Sequence, residues 1–162
     1  MTLFVVGVGA SGDDAARRVD AGIASLAAIA PRDLSLRGQS RRYANPPWGG
    51  ATRAPFVNAA VVVVTPLPPR ALLGVLFAVE RLHGRVRAQK NAARTLDLDV
   101  LWSPDATSTT PPSLPHPRFA DRAFAVVPAV EALDAAGVVV PAWLRAAARA
   151  HGLAPLTALR PS

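Results

Sequence analysis

Cysteine is absent from the 162 residues, which excludes disulfides and thiolate metal sites and leaves the redox compartment open. Lysine occurs once, at Lys90, and aromatic residues make up only 6% of the chain. A stacking platform for single-stranded nucleic acid is therefore not visible. No apolar run approaches the roughly 18 residues that a membrane helix needs; the longest lie around 59–64 and 123–130. No basic segment precedes the apolar start Met1-Thr2-Leu3-Phe4, so no signal peptide is expected and a cytoplasmic protein without a membrane partner is the default. Internal repeats are also missing. What is present is a 51% hydrophobic chain, long enough to bury a core as one domain spanning 1–162.

The net charge of +7 invites a nucleic-acid reading. The arginines are scattered, however, and their abundance beside alanine looks like a bias of the whole chain. One concentration stands out: Arg81, Arg85, Arg87, Lys90 and Arg94, immediately before a pair of aspartates. That placement suits a compact polyanion such as a triphosphate better than a long phosphate backbone.

The aspartates lie in Arg94-Thr95-Leu96-Asp97-Leu98-Asp99-Val100-Leu101-Trp102, whose alternation has the period of a strand. Asp97 and Asp99 then share a face, about 6.5–7 Å apart along the chain. Unless an arginine or a metal neutralises them, one tends to hold a proton. Two hard oxygen ligands on a rigid strand suit Mg²⁺ held against phosphates. The alternative is the solvated outer face of an edge strand. Their mutual repulsion implies that removing either charge leaves the free protein as stable as before or slightly more so, whereas a structural role, with one aspartate paired to Arg94 or another arginine, predicts lower stability.

In chain order, 2–8 reads as a buried strand, with a strand-to-helix turn or loose phosphate loop at Gly7-Val8-Gly9-Ala10-Ser11-Gly12. Asp13 or Asp14 caps a helix that stops at Pro31. A second strand spans 34–43, and Asn45-Pro46-Pro47-Trp48-Gly49-Gly50 opens a loop. Residues 56–65 form the clearest strand, with Asn58 either satisfying backbone or reading a ligand's hydrogen-bonding edge. Pro68 and Pro69 open a helix that ends at His83-Gly84. Residues 103–117 form a loop or short hairpin, an apolar segment begins at Arg122, and a last helix spans 141–151 with Trp143, Leu144 and Ala147 on one face. The order β-α-β-loop-β-α-β predicts a ferredoxin-like α+β sheet with helices on one face and an added C-terminal helix.

Several segments together resemble the 6-hydroxymethyl-7,8-dihydropterin pyrophosphokinases of folate biosynthesis. They are Tyr43-Ala44-Asn45-Pro46-Pro47-Trp48-Gly49, Phe56-Val57-Asn58-Ala59-Ala60-Val61, and Glu80 followed by Gly84-Arg85-Val86-Arg87. Arg94-Thr95-Leu96-Asp97-Leu98-Asp99 and Pro115-His116-Pro117-Arg118 with Arg122-Ala123-Phe124 complete the set. The resemblance covers about residues 1 to 134 and implies transfer of the β,γ-diphosphate of ATP to the pterin hydroxymethyl group, releasing AMP. It implies two Mg²⁺ ions on Asp97 and Asp99, with Arg87 and Arg94 as catalytic residues. ATP would also meet Lys90, His116 and Arg122. Asn45, Pro46, Trp48, Phe56, Asn58 and Phe124 would bind the pterin, with Phe124 stacked on its ring. A monomer with no nucleic-acid partner is expected.

Three departures accompany this resemblance. The family's G-S-N after the first strand lacks its asparagine here. Asn45 replaces the usual threonine before the double proline. Asn91-Ala92-Ala93 replaces the frequent W-G-P, removing a tryptophan lid. A diverged, non-catalytic binder of pterin, nucleotide or a protein is the second reading, and a basic RNA-binding module the third.

Overall fold

The computed structural model describes residues 1–45, 56–85, 95–152 and 156–159. Its elements run β1 (Thr2–Ser11), α1 (Ala15–Ala27), β2 (Ser35–Gln39), β3 (Tyr43–Asn45), β4 (Phe56–Thr65), α2 (Pro69–Leu82), β5 (Asp97–Trp102), α3 (Ala123–Ala135), α4 (Ala142–His151) and β6 (Thr157–Ala158). One antiparallel sheet has the order β5-β1-β4-β3-β6, with β2 also paired to β4. The arrangement is the expected ferredoxin-like α+β fold. Among the described residues no helix is long and apolar enough to cross a membrane.

The helices cover both faces of the sheet, not one. Phe4, Val6 and Val8 of β1 join Val57, Ala59, Val61 and Val63 of β4 under α1 and α2. Val5, Ala60, Val62, Leu101 and Trp102 face the other way, against Phe119, Val126, Ala129, Leu133 and Leu144. Both faces of the middle of β4 are dry, so Val61, Val62 and Val63 are all fully buried. An unbroken valine run, rather than alternation, is the sequence form that two-sided burial takes. Trp143 is 43% exposed and meets Trp102 and Phe119 edge-on, with ring centroids 6.3 and 6.2 Å away.

Local chemistry explains the other differences from the sequence expectations. The glycine segment after residue 6 is not a turn: β1 continues to Ser11 because Ala10 and Ser11 pair with Val57 and Phe56. The expected strand 34–43 is two strands, broken where Ser40 leaves the regular ladder. The Ser40 amide donates to the Ala60 carbonyl, and its hydroxyl accepts from the Ala60 amide, both at 2.9 Å. Gly38 of β2 sits against the backbone of α3, and a β-carbon there would lie 2.3 Å from the Ala132 carbonyl oxygen.

Candidate active site

The strand register assembles the site's floor. Asn58 on β4 pairs with Gly9 on β1, and Gly9 pairs with Asp97 on β5. One row further, Ala60, Gly7 and Asp99 line up in the same way. Directly opposed residues project to one side of a sheet, so Asn58, Asp97 and Asp99 share the face on which α3 lies. Two strand spacings, about 10 Å in all, separate Asn58 from Asp97. Between them β1 offers only glycine.

The two aspartates have unequal surroundings. Arg85 Nη1 donates to Asp97 Oδ1, to the Leu96 carbonyl at 2.9 Å and to Glu80 Oε1 at 2.8 Å. Glu80, 1% exposed, also accepts the amide of Leu98 at 2.8 Å, the residue between the aspartates. A buried carboxylate on α2 thus fixes both β5 and its arginine. Burial opposes charge on Arg85, but the Asp97 hydrogen bond and the Asp97 and Glu80 charges outweigh it, raising its pKa. Burial and then the Asp97 charge push the Asp99 carboxyl above its usual range, with His116 and Arg85 acting the other way. Arg85 thus offsets the charge of Asp97, while Asp99 has no such partner among the described residues.

His116 belongs to the same cluster. Its backbone amide donates to the Leu101 carbonyl of β5 at 2.8 Å. Burial lowers its pKa first, Asp99 opposes, and Arg122 and Arg118 add to the lowering, so the ring is neutral at pH 7. Nδ1 accepts the Arg118 amide at 3.2 Å, which assigns the ring proton to Nε2. Arg122, at the N-terminus of α3, lies with its guanidinium 5.5 Å from the Phe124 ring centroid. Phe124 itself is partly buried against the second core.

On the other side, Asn58 Nδ2 donates to Asn45 Oδ1 at 2.6 Å, and Phe56 points to the same face two residues earlier. The expected site residues Asn45, Phe56, Asn58, Asp97, Asp99, His116, Arg122 and Phe124 are therefore carried by β3, β4, β5 and the segment that leads into α3. Pro46, Trp48, Arg87, Lys90 and Arg94, and the 91–93 departure, lie outside the described residues. Sequence reasoning placed Arg85 in the basic group facing a polyanion, whereas here it is bonded to Asp97 and Glu80; Glu80 was given no role, although a glutamate on the apolar stripe Leu72, Leu76, Val79 was the available signal. A separate groove of about 370 Å³ is lined by Arg41, Tyr43, Glu131, Asp134 and Arg145. Four of the charges that line it are paired, Arg41 with Glu131 and Arg145 with Asp134.

The donors fit magnesium. Asp97 and Asp99 are hard oxygen ligands, and Asp99 carries a charge that its surroundings leave under-compensated. Among the described residues no third acidic or imidazole group joins them to make a closed cage. Mg²⁺ commonly takes one or two carboxylates and fills its remaining positions with water and phosphate oxygens.

Residues 5–134 match the family model described as 7,8-dihydro-6-hydroxymethylpterin-pyrophosphokinase. Over 132 residues the chain is 36% identical to a 2-amino-4-hydroxy-6-hydroxymethyldihydropteridine pyrophosphokinase of Methylorubrum extorquens, covering 81% of this chain and 82% of that one. A protein of the same name from Synechocystis is 30% identical over 141 residues, 86% of this chain and 67% of the other. Another, from Porphyromonas gingivalis, is 29% identical over 133 residues, 79% of this chain and 88% of the other. The sheet and the matched span agree: this chain belongs to the 7,8-dihydro-6-hydroxymethylpterin-pyrophosphokinase family.

Proposed function

We infer that the chain transfers the β,γ-diphosphate of ATP to 6-hydroxymethyl-7,8-dihydropterin and releases AMP, a step of folate biosynthesis. The hydroxymethyl oxygen attacks the β-phosphorus, the bond from that phosphorus to the oxygen of the α-phosphate breaks, and the hydroxyl proton is lost. Such a transfer needs in-line placement and charge neutralisation more than covalent help from the protein. The row Asn58–Gly9–Asp97 is the observation that carries this reading. It puts a group suited to a heterocycle's amide edge and a group suited to phosphate-bound metal at opposite ends of one flat floor.

Asn58 binds the pterin, with Phe124 and Phe56 against the ring. His116 donates from Nε2 to a phosphate oxygen, and Arg122 adds charge at the same end. Arg87, Lys90 and Arg94 complete the phosphate grip, and Pro46 and Trp48 the pterin pocket. Asp97 and Asp99 hold two Mg²⁺ ions, which when bound neutralise phosphate charge and polarise the phosphorus centre. The enzyme works as a cytoplasmic monomer on two small molecules, without nucleic acid or membrane.

The test is AMP release measured with ATP and Mg²⁺, with and without 6-hydroxymethyl-7,8-dihydropterin. Release that requires the pterin and is lost in Asp99→Asn supports the reading. Binding of both substrates without AMP formation assigns the chain to a non-catalytic role instead.

A further inference from the structure

The amide of Asn58 is bonded at one end and closely packed at the other. Its Nδ2 donates to Asn45 Oδ1 at 2.6 Å, and Asn45 is only 9% exposed. Its Oδ1 lies over Gly9, so close that a β-carbon at Gly9 would stand 2.8 Å from it. Asn45 is diagonal to Asn58 across the β3–β4 ladder, because Tyr43 is the residue directly opposite. An asparagine amide left to itself can turn over and exchange its donor and acceptor ends. Here one neighbour takes an N–H, and the other, lacking a side chain, leaves the oxygen room where it lies.

We propose that Asn45 is a positioning residue for substrate specificity: it fixes which end of the Asn58 amide faces the cleft, rather than touching the pterin with its own side chain. The pinned amide presents Oδ1 as an acceptor, with one remaining N–H beside it. It therefore selects a heterocycle that offers a ring or exocyclic N–H donor next to an acceptor. A ligand lacking that donor leaves a buried oxygen unpaired, the kind of mismatch that discriminates strongly. This inference rests on the reading of Asn58 as the pterin-binding amide, and it gives a physical role to the asparagine that stands where the family usually has threonine.

The experiment measures binding of 6-hydroxymethyl-7,8-dihydropterin and, separately, of Mg²⁺-ATP to the wild type, Asn58→Ala, Asn45→Ala, Asn45→Asp and the double alanine variant. Asn58→Ala and Asn45→Ala are expected to weaken pterin binding about tenfold each. The double variant should lose little more, since the pair acts as one unit. Asn45→Asp keeps an oxygen facing Nδ2 and should stay within about threefold of wild type, with Mg²⁺-ATP binding unchanged in all. In the ¹⁵N-labelled free protein, one Asn58 Nδ2 proton should be shifted and protected, lost in Asn45→Ala and kept in Asn45→Asp. Asn45→Leu serves the same comparison should Asn45→Ala melt early. Additive losses in the double variant, or Asn45→Asp as impaired as Asn45→Ala, overturn the positioning role. A loss in Asn58→Ala with none in Asn45→Ala also overturns it while leaving Asn58 in place. No loss in Asn58→Ala overturns the underlying reading of Asn58.

Discussion

Asp97 and Asp99 differ in what neutralises them. Arg85 bonds to Asp97, with both side chains under one-fifth exposed, whereas Asp99 is held above its usual pKa by burial and by Asp97. Asp97→Asn should therefore destabilise the free protein by about 1–3 kcal/mol, because Arg85 loses an ionic partner in a half-dry site. Asp99→Asn should leave stability unchanged or slightly raised, since it removes a disfavoured charge. Thermal melts of the two variants without Mg²⁺, beside AMP release, check the contrast; equal melting temperatures would contradict it. The symmetric expectation from sequence gives way here because spacing alone does not say which of five nearby basic residues reaches which carboxylate. Tyr43 provides a second residue-scale case, and it is the only tyrosine. Burial, then its hydrogen bond to Glu131 at 2.6 Å, pushes its pKa up to about 12. A raised folded-state value means that its contribution to stability is complete below the ordinary value near 10 and is lost as pH climbs through about 12. Tyrosinate absorbance of the native protein should thus titrate well above that of the protein in denaturant.

Gly38 shows how an element depends on one missing atom. Alanine there would put its β-carbon against the Ala132 carbonyl and the Ala136 amide, both backbone, so no side chain can swing aside. Gly38→Ala should cost about 1–3 kcal/mol or more by lifting α3 off β2, readable in urea unfolding. At this scale much was legible beforehand. The valine-rich run between prolines gave β4, the apolar alternation gave β5, and Pro69 at the first position of α2 marked that helix start. Asn58 and the aspartate pair were visible as polar residues inside strand patterns. The division of β2 from β3 was not, because Ser40 is buried through a tertiary bond to Ala60 rather than through its own hydrophobicity. Nor was β6: Thr157 and Ala158 are exposed, and this two-residue strand is defined by its pairing with β3. The apolar segment from Arg122 is a helix that runs through Pro128; tertiary burial of Val126, Ala129 and Leu133 outweighs the local cost.

Across the molecule, two cores share one sheet, so neither helix layer has a platform of its own. Unfolding followed by tryptophan fluorescence of Trp102 and Trp143, in a Trp48→Phe background, should coincide with loss of far-ultraviolet circular dichroism. Separate midpoints would show the α3–α4 layer detaching first. The position of β5 at the margin of the sheet has a further consequence. A marginal strand normally offers a row of open backbone groups to any chain that drifts past, and is a template for aggregation. Here the Leu98 amide is taken by Glu80 and the Leu101 carbonyl by the His116 amide. The groups that shape the reaction centre also seal this margin against a foreign strand. Damage to that scaffolding should consequently appear as a colloidal defect: Glu80→Ala, warmed below its melting temperature, should scatter light sooner than wild type, while Asp99→Asn, equally impaired in activity, should stay clear.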